Sequence, residues 1–170
     1  MKLSSLAAYV ALAIVCVLVD QAVKAVVVDT MALHERIEVL PFFSLFYAHN
    51  TGVAFSFLSG FDDRVMVMLT AGVTVFIAWL ASKTEARQVA ARAGFALILG
   101  GAAGNLIDRA LLGYVVDYIL LHTQSWSFAV FNLADAFISV GAGLVILQEF
   151  IDWRRNRNRP GTAGRTAGEE

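Results

Sequence analysis

The chain is poor in cysteine and in charged residues, and both shortages exclude whole classes of protein. Cys16 is the only cysteine, so an intramolecular disulfide framework and a thiolate metal site are both excluded. Only 16% of the 170 residues are charged, whereas an average soluble domain has about 25%. The formal net charge of −1 gives no general basis for binding nucleic acid. Because 58% of the residues are hydrophobic, the composition predicts one membrane-embedded bundle.

Several common catalytic signatures are also missing. His34-Glu35 is not followed by a second histidine at position 38, so there is no H-E-x-x-H zinc motif. No apolar segment carries an evident serine nucleophile with a histidine partner. The Gly-x-Gly-Asp string of presenilin-type intramembrane proteases does not occur. His34, His49 and His122 lie between the apolar segments, where we expect them to face solvent.

Four apolar segments approach the roughly 20 residues that cross a hydrocarbon core. The predicted spans are residues 5–28, 65–82, 90–112 and 132–153. The last two reach this length only by including polar residues, so we expect Asp108 and Asp135 at the membrane boundary or just inside it. The first segment has a cleaved signal peptide as its alternative interpretation. It is long and has no clear small-x-small cleavage site, which favours a retained span.

Basic residues follow the second and fourth spans, and the loops on the other side have few of them. The positive-inside rule then places both termini in the cytoplasm, which requires an even number of spans. We therefore predict a four-span membrane domain at residues 1–153, with outer loops at 29–64 and 113–131. The remaining residues, 154–170, are predicted to form a basic cytoplasmic tail without fixed structure.

The first outer loop has the pattern of strand, turn and strand. Residues 43–48 are rich in aromatics, Asn50-Thr51-Gly52 suits a tight turn, and residues 53–57 are again β-prone. Residues 126–131 of the second outer loop are a further strand candidate. Such a β platform on the membrane surface would suit a lipid-attached peptide. A lid that merely covers the helix ends is the alternative.

Two aspartates, Asp117 and Asp135, are expected where the third and fourth spans meet the outer membrane face. Ionisable residues at membrane depth are functional candidates. A pair of carboxylates hydrolyses a peptide bond when one accepts a proton from water and the other, protonated, polarises the carbonyl. Close carboxylates adopt this shared-proton state because both do not readily ionise. The alternatives are that Asp135 only completes a capping box with Asn132 and that Asp117 is a solvated loop acid.

Other polar residues surround this pair in the sequence. Asn105 and Asp108 lie three residues apart and so share one face of the third span. Arg109 is placed to neutralise Asp108 or to bind a substrate carbonyl. Asp20 and Lys24, four residues apart, form a local ion pair in one interpretation. In the other, Asp20 pairs with Arg109 and orders the outer site.

Taken together, these residues resemble the lipoprotein signal peptidase family, also called signal peptidase II. The resemblance covers most of the chain, from the first span to the fourth. Its elements are Asp20-Gln21 with Lys24, Asn50-Thr51-Gly52-Val53-Ala54-Phe55, Gly104-Asn105-Leu106-Ile107-Asp108-Arg109, Val116-Asp117 and Phe131-Asn132-Leu133-Ala134-Asp135.

The resemblance implies an all-α membrane protein, a four-helix bundle with a small periplasmic β cradle, in the bacterial inner membrane. It implies an aspartyl endopeptidase that cuts diacylglyceryl-modified prolipoproteins before the lipidated cysteine, with Asp117 and Asp135 as the catalytic dyad at the periplasmic face. No metal or other cofactor is implied. The implied partners are these substrates, membrane lipids and globomycin-type inhibitors. Supporting or substrate-binding roles fall on Asn50, Asn105, Asp108, Arg109, Asn132 and Asp20.

Two functions of other classes compete with this interpretation. A small proton- or ion-translocating protein would use its acids as a relay, and a membrane scaffold would use them only as helix caps. A relay spreads its acids across the depth of the membrane. The predicted positions of Asp20, Asp108, Asp117 and Asp135 cluster at one face, which favours surface chemistry.

Overall fold

The computed structural model describes residues 3–52 and 63–157. Four α-helices account for most of them, and each is long and apolar enough to cross a membrane. Their bounds are α1 Leu3–Thr30, α2 Asp63–Lys83, α3 Val89–Leu112 and α4 Leu133–Arg157. All four predicted spans are confirmed to within a few residues. Helix α4 continues four residues into the segment predicted to be without fixed structure.

The helices are apolar outside and polar inside, as expected for a bundle in lipid. Leu111 and Val75 are 78% and 70% exposed, whereas Asp20 and Asn132 are fully buried. Lipid solvates apolar side chains well, so polar groups gain most by pairing with one another inside the protein. In the described part of the chain, every buried side-chain nitrogen and oxygen has a hydrogen-bond partner.

Helix α3 occupies the middle of the bundle and packs against the other three helices. One close approach of α3 to α4 is at Gly94 and Gly141. A Cβ atom on Gly94 would lie 2.5 Å from the Gly141 carbonyl oxygen, and a Cβ on Gly141 would lie 2.5 Å from the Gly94 carbonyl oxygen. Glycine at both positions therefore lets the two backbones touch.

A three-stranded antiparallel sheet covers one end of the bundle. Its strands are β1 Arg36–Leu40, β2 Phe43–Asn50 and β3 Val115–Leu121, in the order β1-β2-β3. The predicted strand at 43–48 is confirmed within β2, but its hairpin partner is β1. The predicted partner at 53–57 lies outside the described residues. The candidate at 126–131 does not form a strand. It makes two isolated bridges, one from Phe131 to Ile119 of β3 and one from Ser127 to His122, just after β3.

A buried cluster ties this sheet to the C-terminal end of α1. Val27 and Met31 of α1 contact Tyr47 of β2 and Val116 and Tyr118 of β3. The sheet is thereby fixed beside the C-termini of α1 and α3 and the N-terminus of α4. The site described below lies at this junction, where only Gly113 and Tyr114 separate α3 from β3.

Candidate active site

Asp117 lies on a strand, not in a loop. Helix α3 ends at Gly113, whose φ of 80° is a left-handed conformation that glycine adopts without strain. The chain then enters β3, where Asp117 is opposite Ala48 of β2. The side chain is only 2% exposed. The alternative that Asp117 is a solvated loop acid is therefore wrong, because the sheet carries it into the protein interior.

Two asparagine amides hold the Asp117 carboxylate. Asn50 Nδ2 donates to Oδ2 at 2.9 Å, and Asn132 Nδ2 donates to Oδ1 at 2.7 Å. The oxygen of Asn50 accepts the Gly52 backbone N–H at 2.9 Å, which fixes the orientation of its amide. Burial raises the pKa of Asp117 to about 6, and the nearby Asp135 charge acts in the same direction. The bonds from Asn50 and Asn132 oppose this rise in pKa because they stabilise the ionised form.

Asp135 does form the predicted capping box. The Asp135 backbone N–H donates to Asn132 Oδ1 at 3.0 Å, and Asp135 Oδ2 accepts the Asn132 backbone N–H at 3.2 Å. This arrangement satisfies free backbone donors at the start of α4. The other carboxylate oxygen, Oδ1, accepts Asn105 Nδ2 at 2.9 Å. Asp135 is thus a cap and also a member of a network that reaches α3.

Asn132 connects the two aspartates. Its amide nitrogen donates to Asp117 and, at 3.1 Å, to Asn105 Oδ1. Its amide oxygen and backbone N–H both bond to Asp135. The structure therefore brings Asp117, Asp135, Asn50, Asn105 and Asn132 into one hydrogen-bonded cluster, although they come from four separate elements and the turn before α4.

A second cluster, here called the lysine cluster, lies beneath the first and consists of Lys24, Asp20, Asp108 and Gln21. The ammonium of Lys24 is 2.8 Å from Asp20 Oδ2 and 2.9 Å from Asp108 Oδ2. The local Asp20–Lys24 ion pair is therefore confirmed. The alternative pairing of Asp20 with Arg109 is wrong, because Lys24, Gln21 and the Ala134 backbone N–H satisfy the Asp20 carboxylate.

The residue that forms the direct ion pair with Asp108 is Lys24, not Arg109. The Arg109 guanidinium interacts electrostatically with Asp135, Asp117 and Asp108. No ion pair within 4.0 Å joins it to an acid among residues 3–52 and 63–157. Arg109 is half-buried at the last turn of α3, close enough to the two aspartates to interact with their charges.

The histidines depart from the sequence-based expectation. His34 is exposed, but His49 and His122 are half-buried in the sheet region. His49 stacks on Tyr114 with ring centroids 3.6 Å apart and bonds to the Tyr47 hydroxyl at 2.9 Å. Burial lowers the pKa of His49, and the charge of His34 adds to this.

One serine–histidine contact exists outside the membrane spans. Ser44 Oγ lies 2.7 Å from His122 Nε2. The serine is fully buried, and the Arg36 guanidinium also donates to its oxygen at 3.3 Å. A nucleophile must reach its substrate and have a free lone pair. Ser44 is fully buried and does not meet the first requirement, so this pair does not define a hydrolase site.

An apolar groove leads to Asp135 from the side of α4. It encloses about 420 Å³ between α4, the end of β3 and the loop at 122–132. Three aromatic residues, Trp126, Phe128 and Phe131, form much of its wall. Asp135 is the one charged residue among those that line it. The groove therefore offers an apolar ligand a route to a carboxylate.

The fold is similar to that of solved bacterial membrane enzymes. One, described as "Bacterial membrane enzyme structure by the in meso method" at 2.3 Å, superposes with a TM-score of 0.79 and 27% identity over 92% of this chain and 95% of the other. A second, at 1.9 Å, gives 0.77 and 28% over 86% and 94%. Together with the four apolar helices, this similarity defines the class as a membrane enzyme.

Sequence comparison then identifies the family within that class. The family Signal peptidase (SPase) II matches residues 12–151. The lipoprotein signal peptidase of Mesorhizobium japonicum is 51% identical over 147 residues, 86% of this chain and 88% of the relative. That of Brucella ovis is 52% identical over 144 residues, 85% and 90%. The chain belongs to the signal peptidase II family, and it is accordingly a peptidase.

Proposed function

We propose that this peptidase removes the signal peptide from diacylglyceryl-modified prolipoproteins, cutting before the lipidated cysteine with Asp117 and Asp135 as an aspartate dyad. The observation that carries the proposal is the cluster in which Asn132 bonds to both aspartates. Membership of the signal peptidase II family and the names of the relatives support the substrate class.

The two aspartates have environments suited to different protonation states. Burial raises the pKa of Asp117 to about 6, so Asp117 is the better candidate to hold a proton shared by the pair. Asp135 lies in the first turn of α4, where the helix dipole favours a negative charge. We assign Asp135 as the base and Asp117 as the acid of the proposed dyad.

The reaction then follows from these two states. Asp135 accepts a proton from water while the water oxygen attacks the carbonyl carbon, and Asp117 donates its proton to the carbonyl oxygen. This step gives a neutral gem-diol, a protonated Asp135 and an ionised Asp117. Asp135 next donates its proton to the amide nitrogen, Asp117 takes one hydroxyl proton back, and the carbon–nitrogen bond breaks. Both carboxyl groups finish in their starting states, and no metal takes part.

Arg109 is proposed to bind a substrate carbonyl beside the dyad. It is the cation near Asp117 and Asp135 whose donors are not consumed by an ion pair in the described structure. Asn50, Asn105 and Asn132 orient the carboxylates, and Asp108 and Asp20 act through the lysine cluster. Globomycin-type inhibitors are proposed to occupy the same position as the substrate.

The groove next to Asp135 supports an apolar substrate that arrives through the membrane. A diacylated cysteine keeps its acyl chains in lipid and presents the adjacent peptide bond near the headgroups. Basic residues are concentrated at the opposite end of the bundle, in the last turns of α2 and α4. By the positive-inside rule we propose that both termini are cytoplasmic and that the dyad faces the periplasm.

Cleavage of a purified diacylated precursor tests this proposal. Asp117→Asn and Asp135→Asn are expected to leave folded protein that releases no signal peptide, since each removes a group that transfers a proton. Asp29→Asn is the matched control, because Asp29 is an exposed acid at the outer end of α1. Globomycin is expected to inhibit the wild-type reaction. Normal cleavage by either dyad variant would remove that residue from the mechanism.

The same assay separates the rival functions. A proton relay or a scaffold would give no cleavage with the wild-type protein. The buried acids of the described chain also lie together at the sheet end of the bundle. Hydrogen bonds of Asn105 and Asn132 connect the lysine cluster with the two aspartates there. A relay across the membrane needs acids at several depths, so this arrangement favours the peptidase.

A further inference from the structure

Lys24 is buried within α1, with only 3% of its surface exposed. An ammonium group has three donors and no acceptor. Its Nζ lies 2.8 Å from Asp20 Oδ2, 2.9 Å from Asp108 Oδ2 and 2.9 Å from Asn105 Oδ1. All three donors are used, on partners from two helices.

The two acids of the lysine cluster hold the backbone next to each proposed catalytic aspartate. Asp108 Oδ2 accepts the N–H of Val116 at 3.1 Å, and Val116 directly precedes Asp117 in β3. Asp20 Oδ1 accepts the N–H of Ala134 at 3.0 Å, and Ala134 directly precedes Asp135 in α4. The two carboxylates that Lys24 neutralises therefore hold the backbone immediately before Asp117 and immediately before Asp135.

The third partner of Lys24 fixes a side chain. Because an ammonium cannot accept a hydrogen bond, Asn105 must turn its amide oxygen toward Lys24. Its amide nitrogen then points to Asp135 Oδ1 at 2.9 Å. Asn105 Oδ1 also accepts Asn132 Nδ2, which in turn donates to Asp117. One cation thus sets the direction of the hydrogen bonds that reach both aspartates.

We infer that Lys24 is a positioning residue for the aspartate dyad: by neutralising Asp20 and Asp108 and orienting Asn105, it holds the two carboxylates in their reactive geometry. The inference rests on the proposed function of Asp117 and Asp135. Lys24 reaches the reacting atoms only through other residues, so its removal is expected to lower kcat rather than substrate affinity. A misplaced catalytic group costs on the order of 100-fold in rate.

Lys24 also acts on the dyad through its charge. At the sheet end of the bundle, the elements around Asp117 and the turn before β3 carry buried or half-buried charged and titratable groups that include Asp20, Lys24, Asp108, Arg109, Asp135, His49, Tyr47, Tyr114 and Tyr118. Among these, the Lys24 charge lowers the pKa of Asp117 and the Asp135 charge raises it. Asp117 is the proposed acid and must be protonated to act, so its pKa sets the alkaline limb of the kcat profile. Loss of Lys24 should therefore move this limb to higher pH, a change that mere loosening of the bundle would not produce.

The test measures kcat, KM and the pH profile on diacylated precursor for three variants. Lys24→Met removes the cation, and Asp20→Asn/Lys24→Met removes one charge of each sign, which protects folding against an uncompensated buried acid. Both are expected to lose about 100-fold in kcat with KM changed by less than about three-fold, and to shift the alkaline limb to higher pH. Lys24→Arg retains the charge, so it should keep the wild-type limb and recover at least about ten-fold of the lost kcat.

Gln148→Met is the matched control, since Gln148 is a buried polar residue of α4 that bonds to Asp152 at the other end of the bundle. It should keep the wild-type kcat and alkaline limb. A folded double variant with wild-type kcat, an unmoved alkaline limb, or no recovery by Lys24→Arg would each overturn the inference. If Asp117→Asn or Asp135→Asn still cleaved, the proposed dyad would fail instead, and the two failures are therefore distinct.

Discussion

Three asparagines around the two aspartates each use their amide oxygen and amide nitrogen for different partners. Asn50 accepts from the Gly52 N–H and donates to Asp117. Asn105 accepts from Lys24 and donates to Asp135. When a donor holds the amide oxygen of an asparagine, the amide cannot flip, and the position of its nitrogen is fixed as well. The direction of each bond to a carboxylate is therefore set by a group on the far side of the asparagine.

Replacing Asn50 tests this at one carboxylate. Asn50→Ala removes a bond that lowers the pKa of Asp117, so that pKa should rise above about 6. Because Asp117 is the proposed acid, we expect the alkaline limb of the kcat/KM profile to move to higher pH. Asn156→Ala, a change at an exposed residue near the end of α4, should leave the profile in place. A profile that stays fixed in Asn50→Ala would contradict the proposed hydrogen-bonded acid.

Asp117 should also give the folded state a measurable pH dependence. Its folded-state pKa is about 6, above the roughly 3.9 of an unfolded aspartate. Between these values the folded state binds more protons, so the free energy of unfolding decreases as pH rises, by roughly 3 kcal/mol at most. Asp117→Asn lacks this term.

The measurement is Tm in detergent between about pH 4 and pH 8. The difference in Tm between Asp117→Asn and the wild type should increase from low to high pH and level off above the folded-state pKa. Asp29→Asn, at an exposed site, should follow the wild type throughout. A constant difference would mean that Asp117 is not perturbed by burial.

At the scale of elements, the contact between α3 and α4 holds the site together because α3 carries Asn105 and α4 carries Asp135. Gly94→Ala would place a Cβ 2.5 Å from the Gly141 carbonyl oxygen, and such overpacking typically costs about 1–3 kcal/mol. We expect a lower Tm and lower kcat. Gly143→Ala, with nothing within 4 Å of the new Cβ, should be neutral or slightly stabilising. Equal Tm values for both variants would refute the close contact.

The sequence predicted the four helices well because length and apolar composition decide which segments can cross a membrane. Two of the three strands were missed. β1 is exposed along its whole length, and β3 is a strand because it pairs with β2, more than sixty positions away in the chain. A local pattern cannot reveal a pairing that the tertiary fold creates.

The same limit applies to the site. The asparagines and aspartates were found from their spacing and from the resemblance to a family. Asp117 was open to interpretation as a loop acid, because its burial depends on β2. Lys24 had only a local partner in the sequence, whereas the structure gives it Asp108 and Asn105, both more than eighty residues away.

At the scale of the whole molecule, the proposed orientation can be measured with single cysteines. Cys16 is buried, so a Cys16→Ala background is suitable. Gln124→Cys, in the loop after β3, should react with an impermeant maleimide in intact spheroplasts. Glu85→Cys, between α2 and α3, should react only after the membrane is opened. Both residues are exposed, and the reverse labelling pattern would place the aspartates on the cytoplasmic side.

The apolar groove at Asp135 has a consequence for how the enzyme meets its substrate. Under the proposed function, a lipid-attached substrate that enters between α4 and the loop carrying Trp126, Phe128 and Phe131 travels within the bilayer, so encounters take place in two dimensions. The quantity that governs the rate is then the fraction of lipid molecules that are substrate, not the number of moles per litre. Additional phospholipid would therefore lower the effective concentration of this substrate. A region of membrane in which the substrate gathers would raise it.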